Sequence, residues 1–215
     1  MISDISTNSW ATLMALGAFH GINPGMGWLF AVALGMQERR RAAVLRALVP
    51  LTVGHALAVA AAVSVALAIG AVIPIRDLRW PLALVLVWLG VTRFFRHRHP
   101  RWASMRVGMG GLTVWSFLMA TAHGAGLMVV PVFLGMSMAG GGGHLHHMPA
   151  AAGAGVGAAL VATALHAVSY LAMTAFIAVL VFEKLGVGIL RRAWFNVDLI
   201  WAGALAATGA ITLLT

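Results

Sequence analysis

The chain has 215 residues, of which 61% belong to the set AVILMFWYC and only 9% are charged. Soluble domains carry about 25% charged residues to cover a water-facing surface, so a soluble fold is excluded. The 14 basic residues exceed the 5 acidic ones and give a formal charge of +9, whose position along the chain says more in a membrane protein than its sum. There is no Cys, which removes disulfides, thiolate metal sites and thiol redox chemistry.

The opening residues lack the basic segment of a cleavable signal and carry Asp4 instead, so the first apolar segment is expected to stay in the mature protein. About 20 apolar residues cross the hydrocarbon layer, and six segments qualify, near 10–36, 48–73, 80–96, 108–136, 153–182 and 194–215. Ala- and Leu-rich runs without strict alternation favour helices over strands. The predicted fold class is an all-α integral membrane protein, with six transmembrane helices arranged as two inverted three-helix repeats. A single membrane domain covers 1–215, with repeat one at 10–96, repeat two at 108–215 and a basic connector at 97–107.

The first segment carries the most informative run, GAFHGINPGMG at 17–27. Pro24 has no N–H, and its absent partner would be the carbonyl of His20, four residues back. A ring nitrogen and a freed carbonyl at one depth mark a candidate substrate path, with Asn23, Pro24 and Met26 beside it. Gly17, Gly21 and Gly25 fall four apart, a spacing that lets another helix approach closely.

The first loop holds Arg39, Arg40, Arg41 and Arg46, and the second segment holds His55. The second loop has only Arg76 and Arg79, whereas the connector region holds Arg93, Arg96, Arg98, Arg101 and Arg106. Lys184, Arg191 and Arg192 follow the fifth segment, so 12 of the 14 basic residues fall on one side. The positive-inside bias makes that side cytoplasmic. Both termini and the loop after the fourth segment then face outward, in a cytoplasmic (inner) membrane if the source is bacterial. The basic runs are read as topology and lipid-headgroup signals, with no nucleic-acid partner.

The fourth segment repeats a His-Gly step at His123-Gly124, and the fifth repeats His-Ala at His166-Ala167 against His55-Ala56. Pro131 places the expected kink of the second copy eight residues after His123. The third helices open alike, at Arg79-Trp80 and Arg192-Ala193-Trp194. No single match is persuasive, but their common order is. An odd number of spans per half inverts the second copy, a pattern of transporters whose sites lie near the midplane.

Four His (His20, His55, His123 and His166) therefore lie inside predicted spans. Ionisable groups there are costly and functional by default, and imidazole is the commonest transition-metal ligand. The four are candidate metal ligands or a proton relay, or else each simply hydrogen-bonds a neighbouring helix carbonyl. The loop AGGGGHLHHMP at 139–149 adds His144, His146 and His147 as an accessory, loose metal collector. Asp198, beside Asn196 early in the last segment, is a candidate proton acceptor, cation ligand or interface residue. Trp10, Trp80, Trp102 and Trp194 read as interfacial anchors.

HGINPGMG resembles the His-x-x-x-Pro-Gly-His-Gly signature of nickel/cobalt efflux (NicO-type) proteins, within the lysine-exporter-like superfamily of small six-helix transporters. Gly54-His55-Ala56-Leu57 is similar to that family's second-helix element, with a loose echo at 120–126. The resemblance implies that His20, Pro24 and His55 line a transition-metal path. Met26 stands where the family has its second His, which removes a ligand and suits a softer ion such as Cu(I), or a lost transport function.

These features point to a secondary transporter, expected to be an exporter, of a transition-metal cation (Ni, Co, Zn or Cu), with protons as counter-ions and no permanently bound cofactor. The alternatives are a haem-binding membrane subunit and a non-catalytic subunit of a larger complex, and a homo-oligomer or membrane partner fits either view. Ser64, Ser116 and Ser169 lack a Gly-x-Ser-x-Gly context and His-Glu-x-x-His is absent, so no enzyme activity is expected.

Overall fold

A computed structural model describes residues 2–95, 108–140, 149–185 and 197–214. Among the described residues there is no strand. The helices are α1 (Ile2–Ile22), α2 (Trp28–Glu38), α3 (Arg41–Gly70), α4 (Ile75–Phe95), α5 (Met109–Ala122), α6 (Ala125–Gly140), α7 (Pro149–Leu180) and α8 (Val197–Leu214). A 3-10 turn, Pro24–Met26, joins α1 to α2, and a π turn, Val181–Leu185, extends α7. The connector 97–107, the loop histidines His144, His146 and His147, and the side chain of Asp198 lie outside the described residues.

Two helical stretches, Arg41–Gly70 and Val156–Leu185, are long and apolar enough to cross a membrane. The pair Met109–Ala122 and Ala125–Met136, bent by 62°, makes a third if it counts as one span. The expected first segment falls short because the break at Asn23–Gly27 divides it into α1 and α2. The expected third segment, 80–96, falls almost wholly within α4, which starts earlier, carries Asp77 in its first turn and has Arg93 in its last.

The surface is that of a protein solvated by an apolar medium. Val49, Leu84, Trp88, Leu160, Val168 and Phe176 all point outward, whereas the buried polar residues among those described are His, Asn, Ser and Thr. Water would make that distribution unfavourable over so many large side chains; lipid does not.

Helix contacts run between the halves of the chain: α1 packs along α7, α5 along α3, α4 along α8, and α3 against α7. Small residues permit this. A Cβ at Gly17 would collide with the carbonyl of His166 on α7, and one at Gly54 with the carbonyl of Thr113 on α5. Gly90 and Gly209 do the same for α4 and α8, where a Cβ would stand 2.8 Å from the carbonyls of Ala202 and Ala83 respectively. Close backbone approach is how helices associate where lipid tails are as apolar as the side chains.

The predicted glycine face is only partly realised. Gly17 and Gly21 abut α7, but α1 ends at Ile22 and Gly25 belongs to the turn, where its N–H bonds the Asn23 side chain at 2.9 Å. The second break also differs from expectation. Helix α6 runs through Pro131, and the chain bends instead at His123–Gly124, where Gly124 takes φ +71°. A left-handed residue ends a helix more sharply than a Pro whose neighbours can absorb the lost bond.

At the basic end, Glu38 pairs with Arg46 at 2.8 Å and with Arg40 at 3.3 Å. Arg41 pairs with Glu183 at 3.2 Å, bringing the start of α3 to the end of α7. Two of the basic loops thus meet at one end of the bundle. Arg93, expected among the loop charges, lies in the last turn of α4 and donates to the carbonyl of Ala122 at the α5–α6 bend. Trp80 is half-exposed with the Arg79 guanidinium 5.1 Å from its ring centre.

Candidate functional site: a buried histidine cluster between two helix breaks

Both histidines of the broken segments stand at helix ends. His20 is in the last turn of α1 and His123 caps α5. Each turns its Nδ1 back to the carbonyl four residues earlier, Leu16 for His20 and Met119 for His123. A carbonyl only accepts, so both rings carry a hydrogen on Nδ1. The same bond recurs at the two positions that the sequence aligns.

His55 and His166 come from the middle of the two long helices, α3 and α7, and are fully buried. Their rings are nearly parallel, with centres 5.3 Å apart and Nε2 atoms 3.2 Å apart. His166 Nδ1 lies 3.2 Å from the carbonyl of Leu13 on α1 and must donate to it. In the neutral pair His166 Nε2 is therefore the acceptor and His55 Nε2 the donor. That assignment leaves His55 Nδ1 as a bare lone pair, and this atom has no hydrogen-bond partner. His20 completes a triangle of rings, 5.4 Å from His55 and 5.0 Å from His166, with its buried Nε2 also unpartnered.

His123 stands apart from this triangle. The Trp201 ring lies 4.6 Å from His20 and 5.8 Å from His123, and its indole N–H donates to the His123 carbonyl at 2.7 Å. Three of the four predicted histidines thus touch, and the fourth is reached across an indole. Among the described residues no three His, Asp or Glu side chains are arranged to hold a metal ion together.

Three expectations for the first break resolve in atomic terms. Asn23 caps the 3-10 turn with its side-chain oxygen and is buried, with Nδ2 unpartnered. Pro24 opens the turn. The His20 carbonyl, expected to be free, accepts the N–H of Asn23 at 3.3 Å. The chain turns tighter at the break and so recovers the bond. The Ile22 carbonyl accepts the Trp28 indole at 2.9 Å. Met26 is buried in a cluster with Met128, Tyr170, Trp201 and Leu205.

Tyr170 and Trp201 are participants that the sequence reading passed over. The Tyr170 ring stacks on His55 at 4.0 Å, and its hydroxyl donates to the Met26 carbonyl at 2.6 Å. Each aromatic residue therefore touches a histidine ring and satisfies a carbonyl at a helix break. A usable signal existed for Tyr170: it is the chain's one Tyr, four residues after His166 and hence on the same helix face. Trp201, one of eight Trp, carried no comparable mark.

The arrangement places imidazole nitrogens without hydrogen-bond partners in a buried interior, beside two breaks in the helices. It can accept a proton or a cation. No protein-family model, curated protein or solved structure matches the chain.

Proposed function

We propose that the chain is a secondary transporter that carries a transition-metal cation across the membrane, with export the expected direction. The observation that carries this reading is the convergence of His20, His55 and His166, from three helices that are distant in sequence, into one buried set. Unpartnered imidazole nitrogens in a membrane interior are costly, and a passing cation or proton is what would repay them. The breaks at Asn23–Gly27 and His123–Gly124 supply hinges on either side, as discontinuous helices do in transporters. Protons moving through the same imidazoles provide the counter-flow.

We read the fold as six spans in two inverted repeats. Its support is the exchange of partners, α1 with α7 and α5 with α3, together with the identical back-bond of His20 and His123. An approximate two-fold axis in the membrane plane demands both. The likeness of HGINPGMG to the NicO-type signature points the same way.

A haem held by His55 and His166 would need a macrocycle between two nitrogens that touch at 3.2 Å, so this geometry favours the small ion. The test is transport: His20→Ala and His55→Ala are each expected to abolish metal-dependent growth protection and uptake into everted vesicles. Unchanged uptake in both variants removes the reading.

A further inference from the structure

Resting on the transport reading, we infer that the cation held by this cluster is monovalent and of low coordination number, in the chemical class of Cu(I) and Ag(I), and sits between His55 and His166. Three observations lead there. First, the side chains seen packed on the three rings, Phe19, Tyr170 and Trp201, carry no charge. A divalent ion would bring two uncompensated charges into an apolar interior, where a buried charge needs a counter-charge or full ligation.

Second, the ligands come as a pair. The Nε2 atoms of His55 and His166 face each other at 3.2 Å, and an ion between them takes the place of that hydrogen bond. Divalent first-row metals call for four or more ligands, whereas a d10 monovalent ion is satisfied by two. The proton between the rings has somewhere to go. If the hydrogen on His55 Nε2 moves to the unpartnered Nδ1 of the same ring, both Nε2 lone pairs turn to the ion. No proton is gained or lost, and the site charge rises by one.

Third, the soft side chains are close by. Met26 and Met128 are buried in the cluster that holds Tyr170, the residue stacked on His55. Thioethers select soft ions over Ni, Co or Zn, so any third ligand recruited from this cluster reinforces the preference.

Ag(I) supplies an air-stable probe. Proteoliposomes of the purified full chain are expected to move Ag(I) at least tenfold faster than Ni(II), Co(II) or Zn(II) at equal concentration. Ag(I) flux is expected to fall at least tenfold in His166→Ala, and likewise in His55→Gln, which keeps volume and polarity should the first variant fail to fold. Divalent flux equal to or above Ag(I) flux overturns this inference and leaves the transport reading standing. Flux of none of the four ions overturns both.

Discussion

Nε2 of His55 lies 3.2 Å from Nε2 of His166, and the two residues are 111 positions apart in the sequence. This bond joins the two long helices at their centre, and both rings are fully buried. Replacing either His by Ala leaves the other's nitrogen without a partner in a dry interior, a loss of about 1–3 kcal/mol. The double variant removes both polar groups, so its loss should be smaller than the sum of the two single losses. Thermal unfolding in detergent of wild type, both singles and the double gives the coupling, expected at roughly 0.5–3 kcal/mol. Strict additivity would mean that the rings do not bond.

Tyr170→Phe isolates the hydroxyl bond to the Met26 carbonyl while keeping the ring on His55. Polar bonds between membrane helices are worth about 0.6 kcal/mol on average, so the variant should fold with a small loss of stability. Transport should suffer more than stability, because the bond fixes the 3-10 turn next to His20. A variant with full flux would show that the turn needs no such anchor.

Gly17→Val sets side-chain atoms against the His166 carbonyl. Overpacking costs about 1–3 kcal/mol, and here the strain falls on the residue whose ring pairs with His55. Reduced yield of folded protein and a lowered melting temperature are expected, with Gly108→Val as the tolerated comparison, since no atom of the described residues lies within 4 Å of a Cβ there. Equal behaviour of the two variants would contradict the packing of α1 on α7.

Glu183→Gln breaks the pair with Arg41. Both side chains are at least a third exposed, and such pairs contribute about 0–1 kcal/mol. Melting temperature should barely move, in contrast to the histidine variants. A large destabilisation would place this pair in a drier setting than its exposure implies.

Orientation can be read directly because the chain has no Cys. A membrane-impermeant thiol reagent should reach Arg39→Cys and Lys184→Cys from the cytoplasmic side. Val72→Cys, strongly exposed beyond the end of α3, should react from the opposite side. Labelling of all three from one side would remove the six-span plan.

Much of this was legible in the residues. Composition announced an apolar solvent, and Asn23-Pro24-Gly25 announced a break in the first segment, because Pro removes a donor and Asn caps the turn that succeeds it. The meeting of His55 with His166 was less accessible: repeat alignment marked them as equivalent, but equivalence does not bring rings together. What decides contact is where α3 crosses α7; the close glycine contacts of Gly17 and Gly54 bring α1 onto α7 and α5 onto α3 instead. The second break was misplaced because Pro131 is a conspicuous signal and Gly124 a quiet one. A glycine announces a left-handed turn only when the surrounding packing demands it. Trp201 was hidden for a related reason, since its reach to the His123 carbonyl depends on where α8 lies against α6.

The most direct measurement is cation flux into proteoliposomes of purified wild type against His55→Gln, with both samples first shown to be folded and reconstituted in equal amount. The account predicts flux well above protein-free vesicles for wild type and near that background for the variant. Equal flux through the two proteins would contradict the claim that the buried histidine cluster is the cation's path.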